Sequence, residues 1–436
     1  MQESIDLKFI KSVSLSFATQ IIIVLLGIVT SVITARYLGP SGRGIFAVLT
    51  NIVAVSMQIG HLGFPGANIY FLGKNKENPE SIVSMSLIIG LLGGAIISVF
   101  VYLLFQAVPG IVKDVDTSLL IITLFSLPFL FVTSLFNSIV LGLRKYVPYN
   151  ILLVLNKNLS LVKVAVILVI LSLGIKELVL GTTIVSIIIF FMYLIYINKQ
   201  SKISLKFNKN LFFDMWLYGR KSYLASTFGF LIIRSDIFLV NYFLGSFYTG
   251  LYAISVALID LIYLLPGTIG TILFPTVAGG SPHNLTVRVF KYTLYLMSIL
   301  SFFAFFLSKP LILLMYGTEF EGSVSPFLIL LPGIIFLGLE TIIMQDLAGR
   351  GFPRIAYIAP AISFAVNLFL NIIFIPTLKI NGAAISSTIC YGLIMLLILL
   401  YSSKAYNISL KNYFILGKED FIFLKNIFRK KYKITL

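Results

Sequence analysis

Long runs of apolar residues alternate with short polar connections along almost the whole chain. A run of about 17 or more apolar residues, bounded by charged or turn residues, is long enough to cross a bilayer as a helix. Such runs cover residues 12–35, 45–72, 81–106, 117–141, 149–173, 178–197, 222–244, 251–278, 291–308, 323–347, 355–375 and 380–402. The pattern therefore predicts an all-α integral membrane protein of about twelve transmembrane helices.

Composition narrows the classes of chemistry that the chain can perform. Of the 436 residues, 58% are hydrophobic and only 11% are charged, whereas soluble domains are about a quarter charged. The single cysteine, Cys390, excludes an intrachain disulfide, and two histidines leave little for a metal cluster. A GxxxxGK[ST] phosphate-binding loop is absent from the sequence, which argues against ATP-driven transport by this chain alone. We therefore expect neither a metal nor another cofactor.

The net charge of +17 follows membrane topology rather than nucleic-acid binding. With a cytoplasmic N-terminus, the cytoplasmic connections hold 24 Lys and Arg residues and those on the opposite side hold six. An even number of spans returns the C-terminus to the cytoplasm. Two basic segments, 198–221 and 404–436, also carry apolar residues, a mixture typical of amphipathic segments on anionic lipid. The charges predict cytoplasmic termini, contact with membrane lipid and no nucleic-acid partner.

An internal repeat divides the chain. Leu38–Ala47 and Leu244–Ala253 share the pattern L-G-x5-hydrophobic-aromatic-A at an offset of 206 residues, and the same offset pairs Arg144 with Arg350. Six spans per half is an even number, so both halves insert with the same orientation and leave a cleft between them. We predict a six-helix lobe at 1–197, a cytoplasmic amphipathic linker at 198–221, a second lobe at 222–403 and a basic tail at 404–436.

Glycine and proline interrupt equivalent spans of the two halves. Gly60, Gly63 and Pro65 lie in the second span, and Pro266 and Gly267 lie in the eighth, where Pro266 matches Gly60 at the same offset. Interrupted helices at corresponding positions of two repeats indicate a transport site. We predict that these residues are helix hinges, although glycine and proline are also common in membrane helices generally.

Ionisable residues inside spans cost about 3 kcal/mol each at mid-span, so each should face a cavity or a partner. Arg234, at the centre of the seventh span, is predicted either to bind a substrate phosphate or to form a buried pair with Asp260. Asp236 lies two residues further, on another face of that helix. Asp346 lies four residues before Arg350, which is typical of a surface helix pair.

The first half places no carboxylate in any span, so Lys157 and Lys163 lack an obvious partner and are predicted to bind an anionic substrate. Alternatively, Lys157 extends to the cytoplasmic surface. Glu340 is, with Asp236 and Asp260, a candidate for ion coupling. His61, in the interrupted second span, is a candidate substrate contact or a packed polar residue.

Several of these motifs together resemble a known family. Ala35-Arg36-Tyr37-Leu38-Gly39-Pro40 after an uncharged first span, then Gly44-Ile45-Phe46-Ala47, their echo at 244–253, Asp236, and Asn381-Gly382-Ala383-Ala384 carry the similarity. The chain resembles the polysaccharide-transporter branch of the multidrug/oligosaccharidyl-lipid/polysaccharide (MOP) exporter superfamily over nearly its whole length, through short, degenerate motifs.

The resemblance implies a V-shaped, two-lobe flippase of the bacterial inner membrane. Such a protein would move undecaprenyl-diphosphate-linked O-antigen or capsular units through a cationic cavity, for which Arg234 and Lys163 lie at suitable depths. A polysaccharide polymerase and chain-length machinery are candidate partners. The first span lacks the charge that lipid II flippases often carry there, which argues against a peptidoglycan precursor as the cargo.

Two other classes of function stay open. A drug or cation antiporter of the same superfamily would favour carboxylates over surplus cations, so Lys157 and Lys163 argue against it. An enzyme would use Asp114-Val115-Asp116 as the D-x-D signature of a glycosyltransferase, but the loop is short and no soluble domain accompanies it. A polymerase would carry a long outer loop, which the sequence lacks. We therefore expect a transporter rather than an enzyme.

Overall fold

The computed structural model describes residues 2–74, 78–204 and 206–417, with side chains from residue 15 onward except at 221 and 222. All its regular elements in those ranges are helices. The α-helices are α1 Gln2–Gly60, α2 Phe64–Gly73, α3 Pro79–Ala107, α4 Thr117–Phe125, α5 Leu127–Gly142, α6 Tyr146–Val164, α7 Ile175–Gln200, α8 Lys209–Leu244, α9 Ser246–Ala278, α10 His283–Tyr316, α11 Val324–Gly349, α12 Ile355–Leu378, α13 Ile380–Ala405 and α14 Lys411–Phe414.

Helix α1 contains the first predicted span and most of the second, which continues into α2. Eleven helices in the described ranges are long and apolar enough to cross a membrane, and the first of them runs over Leu15–Gly60. Its 46 residues would measure about 69 Å as a straight helix, more than twice the thickness of the hydrocarbon layer. The backbone leaves the helical region at Gly39, with φ 65° and ψ −177°, and Pro40 begins the second crossing. The chain is thus a multi-pass membrane protein, and its described ranges contain twelve crossings when Leu15–Gly60 is counted as two.

The turn at Gly39 recurs in the second lobe. Gly245, 206 residues later, separates α8 from α9 with φ 80° and ψ −178°. Both glycines have a positive φ that residues with a Cβ rarely adopt, so each lobe begins with the same sharp reversal between its first two crossings. We call the end of the molecule that carries these two turns the outer end, because the charge distribution predicts that it lies outside the cytoplasm.

The two lobes meet at the outer end through a reciprocal contact of the repeat. A Cβ atom on Gly44 would lie 1.8 Å from the carbonyl oxygen of Ser246, and one on Gly250 would lie 1.9 Å from the carbonyl oxygen of Pro40. Gly44 and Gly250 are equivalent in the repeat, as are Pro40 and Ser246. The second crossing of each lobe therefore packs backbone against backbone across a pseudo-twofold axis, in the manner of small-residue contacts between membrane helices.

Replacing Gly250 with alanine is expected to force these helices apart, because no side-chain rotation relieves a clash with a backbone oxygen. Overpacking of this kind costs about 1–3 kcal/mol, so we expect a lower melting temperature and slower transport. Gly27→Ala in α1 is the matched control, since its added Cβ meets nothing within 4 Å. Equal melting temperatures for the two variants would contradict this account of the contact between the lobes.

The segment between the lobes is partly continuous with the second lobe. Helix α7 ends at Gln200, and α8 then runs without interruption from Lys209 through the seventh crossing. Its first turns pack on α2 of the first lobe, where the Tyr70 and Tyr218 rings stack 4.0 Å apart and Gly63 and Gly219 bring the two backbones together. The predicted amphipathic linker thus forms the start of a long helix attached to both lobes. Residues 418–436 of the predicted basic tail lie outside the described ranges.

Candidate substrate-translocation site

Lys163 is buried inside the first lobe near the end of α6, with 9% of its surface exposed. Its ammonium group donates a hydrogen bond of 2.7 Å to the hydroxyl of Thr182 on α7. Helix α6 continues as a π-helical turn at Ala165–Ile170, a geometry often found at functional sites. Gly181 makes room for the lysine, because a Cβ there would lie 3.1 Å from Lys163 Cγ. The sequence could not show these contacts of Lys163, because Thr182 and Gly181 lie on the neighbouring helix α7.

The cavity beside Lys163 is lined by both apolar and uncharged polar side chains. It has a volume of about 230 Å³ and lies between α1, α4, α5, α6 and α7. Its polar lining consists of Lys163 and the hydroxyl or amide side chains of Thr50, Thr123, Ser126, Asn156, Ser160, Thr182, Thr183 and Ser186. Hydroxyls and an ammonium group without a lining carboxylate are suited to an anion or a sugar. Lys157 lies on the same helix but is exposed.

Arg234 and Asp260 form a salt bridge between α8 and α9, with 2.8 Å between Nη2 and Oδ2. This is the pair that the sequence raised as the alternative to a phosphate ligand. The two side chains are 28% and 37% exposed, so the pair is not sealed in the core. The carbonyl oxygen of Arg234 also accepts a hydrogen bond of 2.7 Å from Asn51 on α1, which ties it to the first lobe. An open salt bridge of this kind can exchange its carboxylate for another anion.

Asp236 points into the interior of the second lobe and is 1% exposed. Its carboxylate accepts hydrogen bonds from the Tyr252 hydroxyl at 2.5 Å, from Ser387 at 3.3 Å and from the backbone N–H of Ile237 at 2.8 Å. Asp236 and Asp260 line one small space in this lobe. The acid is thus held by neutral donors, an arrangement that accommodates either a proton or a cation.

Glu340 on α11 is 7% exposed and accepts a hydrogen bond of 3.4 Å from the Thr341 hydroxyl. Thr341 also contacts the Tyr263 hydroxyl at 2.8 Å. Among the residues with described side chains, no Lys or Arg lies within salt-bridge distance of this carboxylate. The second lobe therefore holds buried acids and the first lobe a buried base, as the distribution of charges along the sequence indicates.

The predicted hinges differ between the lobes. Helix α1 ends at Gly60 and α2 begins at Phe64, with Gly63 in a left-handed conformation and Pro65 in the first turn of α2. Helix α9, in contrast, passes through Pro266 and Gly267 without a break. The Pro266 ring packs on α11 at Gly338, where an added Cβ would lie 3.0 Å from the ring. This packing supports a continuous helix, so the interruption predicted for both lobes is present in the first alone.

His61 lies in the turn between α1 and α2. Its ring lies 5.1 Å from the Phe131 ring, between centroids, and its Nε2 atom is buried without a described hydrogen-bond partner. Gly60 is also tight against Phe131, since a Cβ there would lie 2.3 Å from Cζ. The histidine therefore packs on an aromatic core residue of the first lobe.

Each acid of the D-x-D sequence accepts a hydrogen bond from a backbone N–H at the start of a helix. The carboxylate of Asp116 accepts a hydrogen bond of 2.8 Å from the N–H of Ser118 and caps α4. The carboxylate of Asp114 accepts a hydrogen bond of 2.9 Å from the N–H of Ser246, at the start of α9 in the other lobe. Capping explains both acids structurally, without a metal or a sugar diphosphate.

The sequence missed a buried network at the opposite end of the second lobe. Asp346 is fully buried, not part of a surface pair, and it binds His283 at 2.8 Å and Thr286 at 2.6 Å in addition to Arg350 at 3.1 Å. His283 also contacts the hydroxyl of Tyr413, at 2.9 Å. These contacts fasten the segment around α14 to α10 and α11. Spacing along the chain could not indicate the contacts of Asp346 with His283 and Thr286, because these partners lie 60 or more residues away.

With this geometry in view, the comparisons with known proteins identify the chain. A family model described as polysaccharide biosynthesis protein matches residues 33–325, more than half of the sequence. The chain belongs to this polysaccharide biosynthesis protein family. The probable low-salt glycan biosynthesis flippase Agl15 of Haloferax volcanii is 25% identical over 202 residues, which cover 44% of this chain and 43% of that protein. The match thus spans less than half of that relative's length.

Two groups of solved structures have the same fold. The lipid II flippase MurJ, in an inward closed conformation, superimposes with a TM-score of 0.75 at 18% identity, over 93% of this chain and 89% of that chain. An inward-facing multidrug resistance MATE family transporter of the MOP superfamily gives a TM-score of 0.73 at 14% identity, over 88% and 94%. At these identities the similarity establishes the fold alone, an all-helical membrane fold shared with these two transporters.

Proposed function

We propose that this member of the polysaccharide biosynthesis family is a flippase for lipid-linked oligosaccharides. Its cargo would be an undecaprenyl-diphosphate-linked O-antigen or capsular unit, carried across a bacterial inner membrane by alternating access of the two lobes. The observation that supports this proposal most strongly is the cavity at Lys163. A buried ammonium group surrounded by hydroxyls, without a lining carboxylate, is complementary to a diphosphate and the first sugars attached to it.

The second lobe supplies groups suited to coupling. Asp236 and Glu340 are buried carboxylates with neutral hydrogen-bond donors, and Asp260 is paired with Arg234. Taking up a proton or a small cation relieves the cost of burying a carboxylate, so occupancy of such a site can bias a two-state equilibrium. We propose that one of these acids links an ion gradient to the cycle. Transport that is unaffected by collapsing every ion gradient would exclude this coupling.

A cation antiporter is the second candidate, and the same buried acids favour it. The two functions differ in the charge of the side chains that bind the cargo. A flippase needs Lys163 and the hydroxyls of the first lobe, together with Arg234, to contact an anion, whereas an antiporter needs the acids of the second lobe to bind the transported cation.

The deciding experiment uses the purified full-length protein in proteoliposomes. A fluorescent undecaprenyl-diphosphate oligosaccharide is placed in the bilayer, and its transfer between leaflets is followed by accessibility to an external quencher or enzyme. We expect transfer well above that of protein-free vesicles. Transport of organic cations without transfer of the lipid would support the antiporter and overturn the proposal.

A further inference from the structure

At the outer end, each lobe extends a loop over the turn of the other lobe. The connection 108–116 between α3 and α4 belongs to the first lobe and lies on the α8–α9 turn of the second. The connection 317–323 between α10 and α11 belongs to the second lobe and lies on the Gly39 turn of the first. At the offset of 206, the two loops and the two turns are equivalent. We call the contact of these loops with these turns the seam, and it has two related halves.

Asp114 forms the first half. Its Oδ2 atom accepts the hydrogen bond from the N–H of Ser246, the first residue of α9, and lies 2.9 Å from the position of a Cβ on Gly245. Asp114 itself has φ 64°, a strained value for a residue other than glycine. The carboxylate thus lies at the positive end of a 33-residue helix that belongs to the opposite lobe.

Glu319 forms the second half. Its Oε2 atom lies 3.6 Å from the position of a Cβ on Gly39, directly before the helix that begins at Pro40. Pro40 has no N–H to donate, so this carboxylate faces the helix terminus without the hydrogen bond that Asp114 makes. The repeat partner of Glu319 is Lys113, the residue before Asp114. Each lobe therefore places one carboxylate, at nearly the same repeat position, against the second crossing of the other lobe.

Further hydrogen bonds support both halves. The Asn241 amide donates to the carbonyl oxygens of Ile111 and Lys113 across the seam, at 3.2 and 2.9 Å. Arg36 donates to the carbonyl oxygens of Met315, at 2.7 Å, and of Leu314. Asn241 and Arg36 lie one residue apart in repeat register. All these contacts join the lobes, so all of them must break when the lobes separate at this end.

We propose that Asp114 and Glu319 are two latches that hold the outer end closed, and that their release from the helix termini opens the lobes towards that side. This inference rests on the alternating access of the proposed function. Charge at a helix terminus is a suitable latch, because the attraction is moderate and is lost within one helical turn of separation. The latches would favour the closed outer end without locking it.

The chain supplies a matched control for each latch. Asp116, two residues from Asp114 in the same loop, caps α4 of its own lobe. Glu321, two residues from Glu319, forms an exposed pair with Lys309 of its own lobe at 2.7 Å. Asp116→Asn and Glu321→Gln remove the same charge from the same loops as Asp114→Asn and Glu319→Gln, but they break no contact between lobes.

The test measures the distance between the lobes in the full-length protein by pulsed electron paramagnetic resonance. Spin labels are placed at Leu173→Cys and Leu378→Cys, exposed positions near the outer ends of the first and second lobes, with buried Cys390 replaced by Ser. We expect Asp114→Asn and Glu319→Gln each to raise the ratio of long to short distances about two- to five-fold, and the double variant by about the product.

The two control variants should keep the wild-type distance distribution. An Asp114→Asn distribution that matches that of Asp116→Asn, or an unchanged double variant, would overturn the latch. This measurement needs no cargo, so it stands apart from the proposed function. If the distances shift while the lipid-linked oligosaccharide is not transported, the latch holds and the assigned cargo is wrong.

Discussion

Replacement of Arg234 by alanine is expected to lower the affinity for the lipid-linked substrate about 10- to 100-fold while the protein stays in the membrane. A hydrogen bond to a charged group contributes about 1.5–3 kcal/mol, and each 1.4 kcal/mol is about a factor of ten. Lysine at this position should restore binding only in part, because it keeps the charge but not the planar fork of donors. Binding of the fluorescent substrate to purified variants measures the effect.

The salt bridge with Asp260 supplies the control that separates the two roles of Arg234. If the arginine binds phosphate, Asp260 competes with the substrate, so Asp260→Asn should tighten binding. The double variant Arg234→Ala, Asp260→Ala should then bind as weakly as Arg234→Ala. If the pair serves only to fasten α8 to α9, removing both charges should restore binding, and the phosphate role would be wrong.

Lys163 is expected to give the second large effect. Lys163→Ala removes the buried ammonium group of the first-lobe cavity, and we expect transport of the lipid-linked substrate to fall about 10- to 100-fold. Lys163→Arg keeps the charge in a larger group and should retain part of the activity. Lys176→Ala, at an exposed position near the start of α7, is the control and should transport at the wild-type rate.

Gly181→Ala tests the position of this charge without removing it. The added Cβ would lie 2.5 Å from Ile167 Cδ1 and 3.1 Å from Lys163 Cγ, so the lysine must move. We expect slower transport than in Gly93→Ala, where nothing lies within 4 Å of the added atom. Normal transport by both Lys163→Ala and Gly181→Ala would exclude the cavity as the substrate site.

Sequence patterns predicted the helices well because the bilayer permits few solutions. Backbone groups in lipid must be hydrogen-bonded within a helix, so an apolar run of sufficient length has essentially one stable structure. Most of the predicted runs match described helices closely, but α8 begins at Lys209, well before the run at 222–244, and α10 extends eight residues beyond each end of the run at 291–308. The first two runs share α1, the second run continues into α2, and the run at 117–141 is divided between α4 and α5. The internal repeat could be recognised in the sequence because the turns at Gly39 and Gly245 both require a positive φ, which favours glycine at both positions.

Side-chain partners were far less predictable. For Arg234 the sequence left two partners open, and only the structure shows Asp260 at 2.8 Å. For Asp346 it favoured a surface pair, whereas the acid is buried against His283. The helix is unbroken at Pro266, where the ring packs on α11 at Gly338.

The sequence by itself determined that the chain spans a membrane, that it contains an internal repeat, and that the spans of the first half carry lysines but no carboxylate. These properties follow from the length of the apolar runs and from the order of residues, because backbone groups in lipid must be hydrogen-bonded within each helix. The tertiary structure alone decided which charges meet and which face a cavity. Helix rotation and packing bring together residues such as Asp114 and Ser246, which lie 132 positions apart in the sequence. The pattern of residues within one helix cannot predict which residues of another helix it will contact.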